Sequence, residues 1–362
     1  MAQSLKAHTQ WANRPADERF GSMGSMLEFA KKKRAHATQA IRPWNKLRVD
    51  HDGENVFLKI GSKQIPFTHW SFHQLCARSN APHNWISRVP AKLAAANLRH
   101  ALKQNADERE LKMLFTRMKG DLQLRGISGP NYTRIWDYQV VERLIDLAGN
   151  GWDVPPAYDP AKFGVNLKKG NAGLYCGDRD MFAFLVNEDR RIDDGSEHGL
   201  ARGFFLSNSE VGYGAWKLTT FLYQFVCGNH IVWGMKDAAT FSVPHIGDAD
   251  AKSLAVFKDE LQEYKDESPK LMEDTIRAAQ NHKLGNTDEE VEEEIFSNRI
   301  LPRKVIRAAL EAAPEWGQHF GDPHTAWGAS QLVTVISQNE EFAGDRVQLD
   351  LASNKILKLA TA

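Results

Sequence analysis

Cysteine is scarce in this chain of 362 residues, and its spacing suggests neither a disulfide framework nor a metal site. The three cysteines, Cys76, Cys176 and Cys227, lie far apart, and no CxxC pair occurs. This pattern is typical of a reducing compartment and argues against zinc. No run of about 18 apolar residues lacks a charge, and residues 1–20 have no apolar core of a secretory signal. We therefore expect a cytoplasmic protein that does not bind a membrane.

Motifs that mark common enzyme classes are also lacking. The chain has no GxGxxG, GxxxxGK[ST], HExxH or GxSxG, which argues against the corresponding nucleotide-binding, zinc-peptidase and hydrolase sites. His69 and His73 could share a metal, but no third ligand is evident. Cys227, beside Asn229 and His230, is more typical of a buried apolar residue than of a nucleophile. The sequence predicts no catalytic residues, no metal and no cofactor, and favours a binding protein over an enzyme.

What the chain does have is an informative stretch from Phe204 to Asp248. It opens with an apolar run typical of a buried strand and continues as SNSEVGYG, residues 207–214. Two glycines and three small polar residues predict a loop that brings backbone N–H groups close to a ligand. A long apolar segment, Trp216 to Val232, follows.

The rest of the chain indicates an α+β fold, with a mixed or antiparallel sheet whose hairpins pack on helices. We predict a basic N-terminal arm over residues 1–46, a core over 47–247 and a mostly helical region over 248–362. The charge is uneven although the net charge is zero: residues 1–50 hold ten Lys and Arg against four Asp and Glu, and residues 248–300 hold seven against fifteen. A basic arm of this kind suits a polyanion.

Local patterns predict several elements. The strongest is a hairpin of Leu111–Met118 and Leu122–Ile127. Helices are expected over Ala91–Gln104 and Trp136–Ala148, whose apolar residues recur at helical spacing. Thr68 and Thr287 are predicted to cap further helices.

The order of motifs along the chain resembles the phage and plasmid family known as domain of unknown function 932. The resemblance rests on FLSNS at residues 205–209 followed by Gly212, on FVCGN at 225–229 and on VPH at 243–245, and it extends over about residues 47–250. Glu210, Val211 and His230 depart from the family pattern. The resemblance implies a mobile-element protein in a host cell, encoded near DNA-processing genes, and no settled activity.

A fold-level analogy to single-strand annealing proteins, which use hairpin-rich sheets and a basic groove, points in the same direction. We therefore expect a single-stranded DNA-binding protein that acts in recombination or replication, including strand annealing, as a homo-oligomer. Cations would contact phosphates and aromatic rings would stack on bases. The expected nucleic-acid-binding residues are Arg117, Lys119, Arg125, Tyr132, Arg134, Arg202, Tyr213, Trp216 and Lys217.

Two alternatives remain open at this stage. The acidic helices of residues 256–300 could be the partner surface of an interaction protein that modulates a host defence system. Asp178 and Asp180 could hold a metal ion in a nuclease.

Overall fold

The computed structural model has an α+β architecture in which helices pack around three antiparallel sheets. It describes residues 18–105, 107–118, 121–148, 151–154, 173–196, 199–224, 229–232, 240–314, 320–337 and 343–360. The predicted fold class is confirmed, and so is the helical character of the C-terminal region. No helix in these ranges is long and apolar enough to cross a membrane.

The first two sheets lie in the N-terminal half of the chain. One is a meander of β3 (Val49–His51), β4 (Val56–Ile60) and β5 (Lys63–Pro66). The other is formed by β2 (Ala37–Pro43), β6 (Glu110–Met118) and β7 (Asp121–Ser128), with β6 in the middle. They share one apolar core with α2 (His69–Arg78), α3 (His83–Ile86) and α4 (Ala91–Asn105).

Within the described residues, the large sheet contains eight strands. They are β1 (Arg19–Phe20), β8 (Trp152–Asp153), β9 (Leu174–Cys176), β10 (Met181–Ile192), β11 (Leu200–Asn208), β12 (Trp216–Gln224), β13 (Asn229–Val232) and β14 (Thr240–Val243). Side chains alternate between two buried faces, so that Ala183 and Leu185 of β10 belong to the main core whereas Phe182 and Phe184 belong to an aromatic cluster on the opposite face.

Helices from the N-terminal half and from the C-terminal region cover the main core. The first two are α1 (Met23–Ala35) and α5 (Asp137–Ala148). The C-terminal helices are α6 (Ala249–Asp266), α7 (Pro269–Asn281), α8 (Asp288–Ser297), α9 (Arg303–Glu311), α10 (Ala326–Ser337) and α11 (Ala343–Lys358). One core thus joins the region predicted as an arm, the large sheet and the C-terminal helices.

The predictions with the strongest local signals are confirmed. β6 and β7 form the hairpin, and α4 and α5 match the predicted helices within one residue at each end. The side chain of Thr68 caps α2 by accepting a hydrogen bond from the Ser71 amide, and that of Thr287 caps α8 by accepting one from the Glu290 amide. Residues 23–43, predicted as part of an arm, instead form α1 and β2, because Ser22 caps α1 and β2 pairs along β6.

Candidate functional site

The segment Ser207–Gly214, which we call the hub loop, lies where β7 and α2 approach the large sheet. It begins with the last two residues of β11 and leads to β12. The carbonyl oxygen of Val211 accepts hydrogen bonds from Trp70 Nε1 (3.0 Å) and Gln74 Nε2 (2.7 Å) of α2. Gly126 of β7 is so close that a Cβ added there would lie 2.9 Å from the Val211 side chain. The hub loop is therefore held against both α2 and β7.

Ser209 closes the hub loop on itself. Its Oγ accepts hydrogen bonds from the amides of Val211 (3.3 Å) and Tyr213 (2.9 Å) and donates to the carbonyl oxygen of Arg179 (2.7 Å). The hydroxyl of Tyr132 donates to the Ser209 carbonyl oxygen (2.7 Å). The amides of Val211 and Tyr213 are therefore occupied within the loop and are not among the N–H groups that could face a ligand.

A buried ion network lies beneath the hub loop. Glu210 accepts from Arg125 Nη1 (2.5 Å) with one carboxylate oxygen and from the backbone amide of Asp137 (2.9 Å) with the other. The Lys33 ammonium lies 2.6 Å from Asp137 Oδ2 and 3.7 Å from Glu210 Oε2. Asn208 donates to the other Asp137 oxygen (2.7 Å). The network connects α1, β7 and α5 to one loop, because each element contributes one of its members.

Burial and charge act in opposite directions on the pKa values of this network. Burial alone would raise the pKa of Glu210, but Lys33 and Arg125 hold it well below its usual range, at about 2. Burial and the neighbouring Glu210 raise the pKa of Asp137. Burial would lower the pKa of Lys33, but Asp137 raises it above its ordinary value. Lys33 and Glu210 therefore remain charged at neutral pH.

Burial keeps the thiols of Cys76 and Cys176 in their protonated form at neutral pH. Cys176 lies 3.2 Å from the Lys33 ammonium, yet burial raises the pKa of its thiol to about 12. Burial also raises the pKa of the Cys76 thiol to about 12. A thiol that holds its proton reacts slowly. Cys227, the cysteine that the sequence analysis weighed as a nucleophile, lies outside the described residues.

A cation–aromatic stack borders the hub loop. The guanidinium carbon of Arg34 lies 4.1 Å from the Trp136 ring centroid, and that of Arg134 lies 5.5 Å from the same centroid and 5.2 Å from that of Tyr132. Tyr132 stacks on His245 at 5.0 Å. We use the name "cation–aromatic stack" for these five residues, of which all but His245 are half-exposed.

Two exposed cations lie on strands that adjoin segments of this stack. The backbone amide of Arg117 donates to the carbonyl oxygen of His36, directly after α1, which places Arg117 close to the end of α1 that carries Arg34. Lys217 pairs with Ser242 of β14, which leads to His245. Arg117 and Lys217 are both exposed.

The structure brings some of the predicted binding residues together and separates others. Tyr132 and Arg134 are neighbours in the stack, whereas Tyr213 contacts Arg179, whose guanidinium lies 4.1 Å from its ring centroid, and the Trp70 ring at 5.1 Å. Lys119 lies outside the described residues.

Three of the predicted residues are interior ones, which corrects their expected place on the surface. Trp216 is 1% exposed and packs in the main core near Phe257. Arg202 is 2% exposed and donates to the carbonyl oxygen of Glu267 (2.7 Å). Arg125, 1% exposed, is bound to Glu210. A base could not stack on Trp216, nor could a phosphate in solution reach Arg202, without opening this core.

The expected nucleic-acid-binding residues did not include Arg34 and Trp136. A usable signal was present in residues 132–136, YTRIW, because a spacing of two places Tyr132, Arg134 and Trp136 on one side of an extended segment. Arg34 comes from a distant basic run, and nothing local connects it to Trp136.

The candidate metal ligands do not converge. The rings of His73 and His69 each lie about 5 Å from His83, but among the described residues no group of three or more His, Cys, Asp or Glu could hold a metal ion. Asp178 and Asp180 are among these residues, so the nuclease hypothesis has no metal site within the described ranges.

Part of the acidic C-terminal surface is neutralised within the chain. Glu292 of α8 accepts hydrogen bonds from Arg303 (2.9 Å) and Arg307 (2.5 and 2.8 Å) of α9, and Glu293 pairs with Arg303. Some acidic side chains of α8 are therefore neutralised by the arginines of α9.

Comparison with known proteins yields one family. A profile described as a domain of unknown function (DUF932) matches residues 162–355. The match begins and ends later than the stretch in which the sequence motifs were found, and it takes in the C-terminal helices. No curated protein and no solved structure matches this chain.

Proposed function

The chain belongs to the DUF932 family, whose function is unknown, and we propose that it is a phage or plasmid protein that binds single-stranded DNA in recombination or replication, including strand annealing. The observation that supports this proposal most is the cation–aromatic stack, in which the guanidinium groups of two partly exposed arginines alternate with two aromatic rings.

Alternating cations and rings suit a single strand for a physical reason. A base has a π-face that stacks on an aromatic ring or on a guanidinium plane, and the phosphate between two bases needs a cation. Arg34 and Arg134 supply planes and charge at once. Arg117 and Lys217 are exposed and add positive charge on strands that adjoin the segments carrying Arg34 and His245.

The direct test is fluorescence anisotropy of a labelled single-stranded oligonucleotide, with a duplex control, at two salt concentrations. We expect binding to the single strand that weakens steeply with salt, because phosphate contacts release counterions. Equal affinity for the duplex would contradict base stacking as the mode of binding. No binding at low salt would contradict DNA binding altogether and favour an interaction protein.

We also propose that the protein forms a homo-oligomer, because annealing requires two strands to be held at once. Sedimentation velocity with and without the oligonucleotide tests this part separately. A monomer that still binds the strand would retain the binding proposal and remove annealing.

A further inference from the structure

A second row of rings begins in the hub loop itself. The ring of Tyr213 lies edge-on to that of Trp70 of α2, with centroids 5.1 Å apart. Trp70 stacks nearly parallel on His73 at 5.1 Å, and the His73 ring lies 4.9 Å from that of His83 of α3. All four residues are partly exposed. We call Tyr213, Trp70, His73 and His83 the aromatic ladder.

The aromatic ladder adjoins the cation–aromatic stack at Gly212. A Cβ added at Gly212 would lie 3.6 Å from the Tyr132 ring and 3.7 Å from the side-chain nitrogen of Gln74. Tyr132 belongs to the stack, and Gln74 belongs to α2, the helix that carries Trp70 and His73. The stack and the helix of the ladder therefore meet at one residue of the hub loop.

The surface beside Tyr213 is open. Gly212 and Gly214, on either side of Tyr213, are exposed, and a Cβ added at Gly214 would have no atom beyond its chain neighbours within 4 Å. Glycines of this kind let another backbone approach closely. The Arg179 guanidinium carbon lies 4.1 Å from the Tyr213 ring centroid. A strand thus has both room and a cation where the ladder begins.

We propose that the aromatic ladder continues the cation–aromatic stack and binds the next nucleotides of the same single strand. This inference rests on the proposed function. Rings that follow one another at about 5 Å give successive bases a platform, and such stacking tolerates any base. Imidazole rings serve as platforms for unstacked bases as well.

The histidines give the ladder a charge that depends on pH. An imidazole in water titrates near about pH 6.5. Burial and the neighbouring His73 lower the pKa of His83, and a hydrogen bond with Asn84 acts in the opposite direction. A third imidazole, that of His69, lies 5.2 Å from His83. Acid therefore places positive charge on the ladder, and the phosphates of a bound strand would stabilise that charge.

The first experiment adds one carboxylate beside Tyr213 without removing a ring of the ladder. Gly214→Glu should weaken the binding of a labelled single-stranded oligonucleotide of about 16 nucleotides by about tenfold, because the carboxylate repels the phosphates. Gly214→Gln is the matched control, since it has nearly the same size and no charge, and it should bind nearly as the wild type does. Fluorescence anisotropy at low salt measures the three affinities, and thermal unfolding checks that both variants fold.

The outcomes separate the ladder from the proposed function. Equal affinities of Gly214→Glu and Gly214→Gln, with a wild type that binds the strand, would overturn the inference and leave the proposed function standing. A wild type that does not bind the strand would contradict the proposed function and the ladder together.

The second experiment distinguishes the ladder from the stack by pH. The cations of the stack are arginines, which stay protonated, and burial lowers the pKa of His245 to about 4. Wild-type affinity for the oligonucleotide should rise by about three- to tenfold as the pH falls from about 7.5 to 5.5, because the ladder gains positive charge. The double variant His73→Gln, His83→Gln should lose most of this rise.

His282→Gln is the control for the pH experiment, because His282 is an exposed histidine at the end of α7, and it should keep the full rise. Absence of a rise in the wild type, or an undiminished rise in the double variant, would overturn the inference.

Discussion

Glu210 is the charged residue that links the hub loop to β7 and α5. Its two carboxylate oxygens bind Arg125 of β7 and the first amide of α5, and both cations of the network hold its pKa down. A buried ion pair is weak grounds for net stability, but breaking one by removing a partner is costly, because the other charge stays in the interior.

We predict that Glu210→Gln lowers the free energy of unfolding by about 3 kcal/mol at pH 7. Urea denaturation measures the difference. Glu289→Gln, on the exposed first turn of α8, is the control and should change stability little.

The destabilisation caused by Glu210→Gln should depend on pH. The pKa of Glu210 is lowered on folding from 4.5 to about 2, so its contribution is present above pH 4.5 and is lost as the pH falls toward 2. The difference in the free energy of unfolding between wild type and Glu210→Gln should therefore decrease as the pH falls from 4.5 to 2. A gap that stays constant down to pH 2 would show that Glu210 acts through packing rather than charge.

At the scale of elements, the contact between β7 and the hub loop leaves no space for a side chain at Gly126. A Cβ at this position would lie 2.9 Å from both Cβ and Cγ1 of Val211. We predict that Gly126→Ala destabilises the protein by about 1–3 kcal/mol, because one element must move away from the other.

Gly129, the next glycine in the chain, faces open space, since a Cβ added there would have no other atom within 4 Å. Gly129→Ala therefore serves as the control and should be nearly neutral. Thermal unfolding of both variants makes the comparison. Equal stability of the two would mean that β7 and the hub loop are not in firm contact.

Elements were predictable from the sequence where the signal was local. The β6–β7 hairpin follows from alternating residues around a short turn, and the caps at Thr68 and Thr287 follow from a side chain that reaches an amide three residues on. The charge network has no local signal, because Lys33 and Asp137 are 104 residues apart and Arg125 and Glu210 are 85 apart. Trp216 shows a related limit: at the start of a strand, alternation does not say which face is the core.

At the scale of the whole molecule, the matched family region contains most of the main core but not all of it. The profile covers residues 162–355, but the main core also includes Met26, Val141, Leu144 and Trp152 from earlier segments. The hub loop likewise has its ionic partners in α1, β7 and α5.

We therefore predict that a fragment of residues 162–355 lacks a cooperative thermal transition, whereas coexpression with residues 1–161 restores one. Circular dichroism of the fragment alone and of the reconstituted pair gives the comparison. A fragment that melts cooperatively alone would show that the N-terminal half is an addition rather than part of the same folding unit.

The central claim is that the cation–aromatic stack binds single-stranded DNA, and the affinity of Trp136→Ala for a single-stranded oligonucleotide tests it most directly. Trp85→Ala is the matched control, because Trp85 is 48% exposed and lies on α3, outside the stack. Loss of one stacking platform should weaken binding by about ten- to a hundredfold in Trp136→Ala, with Trp85→Ala close to wild type. Equal affinity of the two variants would contradict the account.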